Sequence, residues 1–197
     1  VAAGGPRTLE MAGRAADGVF LRVGTHPGNI ERSLAAVRRG AESVGRDPSA
    51  VRTALIFHTV VCDEPARALA VARSMAAGYL EYSPMLLDAT GWRWDGPPLH
   101  DLQSRVWPDF HHARDLAAAG ELLAFMPAEV AEAFCVVGDW AEVREQFAGI
   151  AARWPDAELI VPHPVPAWPP GAEPPAPRYI EAFAREVIAP LGTGPAV

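Results

Sequence analysis

The sequence contains no lysine; all 17 of its basic residues are arginine. That absence excludes Schiff-base chemistry by the chain and leaves guanidinium groups as the only side chains for clamping a phosphate. Cysteine is scarce as well. Cys62 and Cys135 have no metal-ligand spacing and read as buried thiols in a reducing compartment. Charge, glycine or proline interrupts every apolar run before the roughly 20 residues that a bilayer requires, and no charged, then apolar, then small-residue leader opens the chain. A cytoplasmic location is the expectation, with no membrane partner. At a net charge of −7, and without basic clusters interleaved with aromatics, no nucleic-acid partner is expected either.

What the chain does have is enough apolar material for one core: half of its 197 residues are hydrophobic. Strand-like and helix-like segments alternate along it. Val1-Ala2-Ala3 reads as the end of a buried strand, followed by a helix from Pro6 to about Ala16, a turn at Asp17-Gly18 and a strand over Val19–Val23. Ile30, Leu34, Val37 and Val44 recur at helical spacing up to Gly45. The run Val51–Cys62 has the β-branched, apolar character of a strand covered on both faces. A helix begins at Asp63 and Pro65. From Tyr82 to Pro108 the pattern breaks into three tryptophans and several prolines, then helices are expected over about Asp109–Phe125 and Ala128–Ala133. Asp139 and Glu142 have the offset of a capping box for a helix reaching Arg153. Leu159–Val161 reads as another buried strand, and a proline-rich turn leads to a terminal amphipathic helix in "PRYIEAFAREVIAPL". Such an alternation predicts an α/β fold with a parallel sheet, either doubly wound or part of a (β/α)8 barrel.

Gly4-Gly5 sits between a strand and a helix that starts with proline. The first amides of that helix are left unpaired beside two residues with no side chain, which is the local chemistry of an anion site. Arg7 and Thr8 in the first turn add a cation and a hydroxyl. The competing reading is that glycine serves only the tight turn.

The stretch "VAAGGPRTLEMAGRAADGVFLRVGTHP", followed by "AAVRRGAESVGRDPSAV" and "VVGDWAEVREQFAGIAARWPDAELIVPHP", resembles the luciferase-like monooxygenase superfamily, in particular its deazaflavin-dependent branch. The resemblance implies an α/β fold that is the C-terminal half, about strands 5 to 8, of a (β/α)8 TIM barrel. Residues 1–197 would form one partial barrel domain, with residues 82–133 as an insertion or lid ahead of the last strand. It implies hydride transfer between reduced coenzyme F-420 and a small organic substrate, with FMN as the alternative cofactor. Gly4, Gly5, Arg7 and Thr8 would hold the cofactor phosphate, and Arg22 and Thr25 would stand on the substrate side. Such a segment would supply the phosphate-anchoring half of a site and have little activity alone, within a full-length form expected to be a homo-oligomer. A different class of function is a non-catalytic half-barrel that binds a phosphate-bearing ligand or dimerises through its open sheet edge.

Because groups at the C-terminal ends of barrel strands do the chemistry, His26 and His163 are the catalytic candidates. Each is equally well a solvated loop histidine. His58, inside an apolar strand, reads first as a core or lumen-facing residue. His111 and His112 are adjacent on an expected helix and cannot share a face as a metal pair, so no metal is expected. Trp92, Trp94 and Trp107 either close over a flat ligand or pack beneath the long loop.

Overall fold

The computed structural model describes residues 1–168 and 176–192. Five parallel strands form one sheet, and the longest organises it. Strands β1 (Ala2–Ala3), β2 (Gly18–Leu21) and β3 (Arg52–Val61) lie side by side; β4 (Cys135–Gly138) and β5 (Leu159–Pro164) also pair with β3. Residues 52–55 of β3 take β2, residues 58–61 take β4, and residues 54–59 take β5. Its β-branched and apolar sequence suits a strand hydrogen-bonded on both edges.

The register sorts side chains onto two faces, because successive residues of a strand alternate. Leu21, Leu55 and Phe57 are buried on one face, where Phe57 meets Phe147 of helix α7 (Trp140–Arg153) edge-on at 6.3 Å. Phe20, Ala54, Ile56, His58, Leu159, Val161 and His163 share the other. That second face is partly open: Phe20 is 43% exposed and Leu159 is 51% exposed.

Helices α1 (Pro6–Ala15) and α2 (Pro27–Glu42) each begin with proline at a first-turn position, where a missing N–H costs nothing. They cross at glycines. A Cβ on Gly13 would stand 2.0 Å from the Val37 carbonyl oxygen, and one on Gly40 would stand 2.0 Å from that of Glu10. The alanine-rich helix α3 (Pro65–Tyr82) follows β3.

Beyond it come a 3₁₀ segment (Pro84–Thr90) and the short helices α4 (Leu99–Gln103), α5 (Leu116–Glu121) and α6 (Ala128–Glu132). The helix expected over 109–125 is therefore confined to α5. Asp109 explains the difference: its carboxylate accepts the backbone N–H groups of His111 and His112 at 2.8 and 2.9 Å, closing a turn, and Asp115 then caps α5 through the Ala118 amide. Strand β4 is an element that sequence reading passed over.

The capping box at Asp139 and Glu142 is formed as expected. The terminal helix continues from α8 (Ala176–Phe183) through a π turn over Ala184–Ile188 into α9 (Ala189–Leu191). Pro190 has no N–H to give to Glu186, whose carbonyl oxygen accepts from Arg144 at 3.2 Å. The expected proline-rich turn lies, over 169–175, outside the described residues. Among the described residues no helix is long and apolar enough to cross a membrane.

Overpacking at the α1–α2 crossing gives a test of this core. Gly13→Ala is expected to lower unfolding free energy by about 2 kcal/mol, read from urea denaturation; an unchanged midpoint would contradict the close approach.

Candidate functional site

The turn after β1 places Gly4 beside the loop after β2: a Cβ on Gly4 would lie 3.4 Å from the carbonyl oxygen of Arg22. Gly5 is the N-cap of α1, in extended conformation, with no side chain capping the helix. The Leu9 amide bonds to the Gly5 carbonyl at 3.0 Å. Pro6 has no N–H, so the amides of Arg7 and Thr8 are the donors presented at this helix start. Both side chains are exposed, and a Cβ on Gly5 would meet nothing within 4 Å. The opening loop thus has room for a ligand against bare backbone, together with a guanidinium, a hydroxyl and the positive end of α1.

Arg22 extends along the same sheet face to the neighbouring strand, β3. Its guanidinium donates from Nη2 to Nε2 of His58. Arginine has no acceptor, so this bond fixes the proton of a neutral His58 on Nδ1. His58 is 2% exposed, and its Nδ1 has no hydrogen-bond partner among the described residues.

Around it stand His163 of β5, Tyr79 of α3 and His111 of the Asp109 turn, with ring centroids 5.2, 5.3 and 5.0 Å away. His111 donates from Nε2 to the Met75 carbonyl at 2.9 Å. The buried Tyr79 hydroxyl has no hydrogen-bond partner at normal distance among the described residues.

Electrostatics make this ring neutral apart from one cation. Burial first, and the Arg22 charge second, hold His58 down to about 2. Burial also lowers His111 to about 4 and brings His163 below its usual value, with Arg22 adding to the latter. Tyr79 is pushed up to about 12 by burial, against a smaller pull from Arg22. The Cys135 thiol, opposite His58 in β4, is pushed up by burial too. No carboxylate pairs with Arg22 among the described residues.

Gly4, Arg22 and His163 are therefore brought to one end of one sheet face. The structure does not bring Thr25 and His26 into the ring. Thr25 donates from Oγ1 to the Glu132 carbonyl at 2.6 Å, and the backbone amides of Thr25 and His26 both bond to the Ala133 carbonyl. His26 caps α2, its Nδ1 accepting the Gly28 amide at 3.1 Å. Gly24 permits this sharp tether with φ of +78°.

Tyr79 and His111 are members of the ring that sequence reading did not place. His112 turns away and binds Asp109. Trp92 and Trp94 pack against Phe125 with centroids 6.4 and 5.2 Å away, whereas Trp107 is 86% exposed.

A cavity of about 820 Å³ lies at the opposite ends of the strands, between α2 and α7. Of its three arginines, Arg52 and Arg153 are held in ion pairs with Glu158 and Glu31, and Arg38 shares the lining with Asp47, Asp156 and Glu158. That balanced, surface-like charge offers less chemistry than the lone Arg22.

The depressed histidines link the site to stability. In the unfolded chain both His58 and His111 bind protons as pH falls below about 6.5, while the folded protein excludes them, so folding is weakened by up to about 1.4 kcal/mol per pH unit for each. Stability is expected to be full above that pH and to decline as pH falls through about 4 for His111 and toward about 2 for His58. Urea unfolding of His58→Phe should show a shallower decline between pH of about 6.5 and about 5 than the parent. Parallel curves would contradict the burial of a neutral imidazole.

Comparison with known proteins places these features in a family. A model of the family described as "Luciferase-like monooxygenase" matches residues 1–156. A 5,10-methylenetetrahydromethanopterin reductase of Methanolobus tindarius is 33% identical over 88 residues, which are 44% of this chain and 27% of that protein.

Among solved structures, the coenzyme F-420-dependent tetrahydromethanopterin reductase from Methanopyrus kandleri superposes with a TM-score of 0.58 at 20% identity, over 96% of this chain and 50% of that one. An F-420-dependent secondary alcohol dehydrogenase, in complex with an F-420-acetone adduct, gives 0.56 at 13% identity, over 95% and 47%. The chain spans about half the length of these solved proteins. With the family model covering most of its residues, the chain belongs to the luciferase-like monooxygenase family.

Proposed function

We propose that this chain forms the cofactor-phosphate half of a deazaflavin-dependent oxidoreductase site, with β1, β2, β3 and β5 as the last four strands of an eight-stranded barrel. The likeness to a reductase and a dehydrogenase that depend on coenzyme F-420 supports the cofactor. Support for the barrel comes from the parallel order of these strands and from Phe20 and Leu159, exposed on the sheet face away from α7. Another segment carrying the first four strands would cover that open face.

The observation that carries the reading is the opening loop. Gly5 leaves space where a Cβ would point, at a helix start whose side-chain cap is missing. Gly4 and Gly5 would let a phosphate approach the backbone, the amides of Arg7 and Thr8 would donate to it, and the Arg7 guanidinium would neutralise charge. When bound, the cofactor supplies the hydride chemistry; the chain orients it and excludes water. Arg22, one strand over from Gly4, faces the substrate side, and Thr25 holds the Arg22 loop against α6. His163 is the partly exposed histidine that a small substrate would meet.

Calorimetric titration with coenzyme F-420 and FMN tests this reading. Gly5→Ala and Arg7→Ala are expected to weaken coenzyme F-420 binding by about tenfold or more without changing thermal stability, because neither residue is packed in the core. Retained affinity in both variants would remove the phosphate from this loop, and tighter FMN binding would move the chain to the FMN-dependent enzymes of the family.

A further inference from the structure

The bond between Arg22 and His58 joins an exposed, flexible side chain to one of the most rigid positions in the sheet. His58 lies on β3 where β4 pairs on one edge and β5 on the other. An arginine free in solvent spreads its guanidinium over many rotamers, and anchoring it removes much of that entropy before a ligand arrives. Only an acceptor can anchor it. A neutral imidazole with its proton on Nδ1 supplies that acceptor without supplying a negative charge, so the cation is positioned and left uncompensated.

The groups facing this pair come from every neighbouring element. β5 supplies His163, β4 supplies Cys135, α3 supplies Tyr79, and the turn after Asp109 supplies His111 and, farther out, His112. None of them carries a negative charge near neutral pH. Asp109 and Glu81 are the carboxylates nearest in sequence to the ring; Asp109 already accepts from the amides of His111 and His112, the His112 ring and the Tyr82 hydroxyl, and Glu81 accepts from the Gln103 side-chain amide at 3.1 Å. Among the described residues, the buried His58 Nδ1 lacks a hydrogen-bond partner and the buried Tyr79 hydroxyl has none at normal distance. An enclosure built only for packing would not keep such groups, since each costs stability when unpaired.

We infer that His58 is a positioning residue, holding Arg22 as the anchor of an oxyanion subsite that takes a carboxylate or phosphate group of the substrate, with His163 at its mouth. This rests on the reading of the Arg22 side as the substrate side, and its test needs no cofactor. Arg22 donates to the oxyanion with the N–H groups not used by His58, and the neutral ring lowers the local polarity around that contact.

Acetate and inorganic phosphate are titrated into the 197-residue protein, following the histidine ring proton resonances by NMR and the heat by calorimetry. Both anions are expected to shift His163. Arg22→Met abolishes the effect, and His58→Phe weakens it by about tenfold while His58→Gln, which keeps an acceptor, restores most of it. Because Arg22 carries the charge and acetate stays ionised, acetate affinity stays flat between about pH 8 and about pH 6. Should His58→Phe fail to fold, the exposed Arg22 still decides the question.

Undiminished binding in Arg22→Met overturns the inference, as does affinity that climbs with protonation below about pH 6.5. Dependence on Arg7 in place of Arg22 overturns it too and assigns the anion to the opening loop. Loss of cofactor binding in Gly5→Ala with intact acetate binding separates the two sites.

Discussion

Pairing of β3 on both edges is the constraint on which the remaining structure depends. A ten-residue strand cannot be covered by the four-residue β2 alone, and the protein completes that edge with β4, contributed from far along the chain. The cost of closing so long a loop is offset by burial on the helix-covered face, where Leu55, Phe57, Val143 and Phe147 exclude water. Once β4 is docked, the loop after β2 can tether to the Ala133 carbonyl that precedes it, and α3 is laid over the end of the strand.

That arrangement sets the electrostatics of the candidate site. Docking α3 and the Asp109 turn over His58 removes the imidazole from water, and desolvation outweighs every other influence on its protonation. A histidine so buried ordinarily finds two partners. This one has Arg22 on one nitrogen and, among the described residues, no partner on the other, so the ring combines close packing with incomplete polar satisfaction. Local departure from satisfaction at the end of a parallel strand is where α/β proteins place their chemistry.

Much of the architecture was legible in the sequence because it rests on local rules. Proline after glycine marked the start of α1, the helical spacing of Ile30, Leu34 and Val37 marked α2, the Asp139–Glu142 offset marked α7, and the β-branched run marked β3. The failures are equally physical. The 109–125 stretch has helical composition, but Asp109 spends its carboxylate on a turn, and β4 is too short for its pattern to stand out from the helices flanking it.

At the site, Gly4 and Arg22 could be named from strand-end position alone. Tyr79 and His111 could not, since they reach His58 through tertiary packing of segments that carry no motif. Thr25 and His26 looked chemically apt, and their polar groups are used by the backbone of the surrounding fold.

Gly4 stands beside the backbone of Arg22, whereas the cavity of about 820 Å³ lies at the far ends of the strands. Amide chemical-shift mapping on addition of coenzyme F-420 is the most direct test of that placement. The account predicts shifts centred on residues 4–8 and extending to Arg22 and His163, with the residues around Pro48 and Trp154 unmoved. Shifts centred on Pro48 and Trp154, with the opening loop silent, would contradict it.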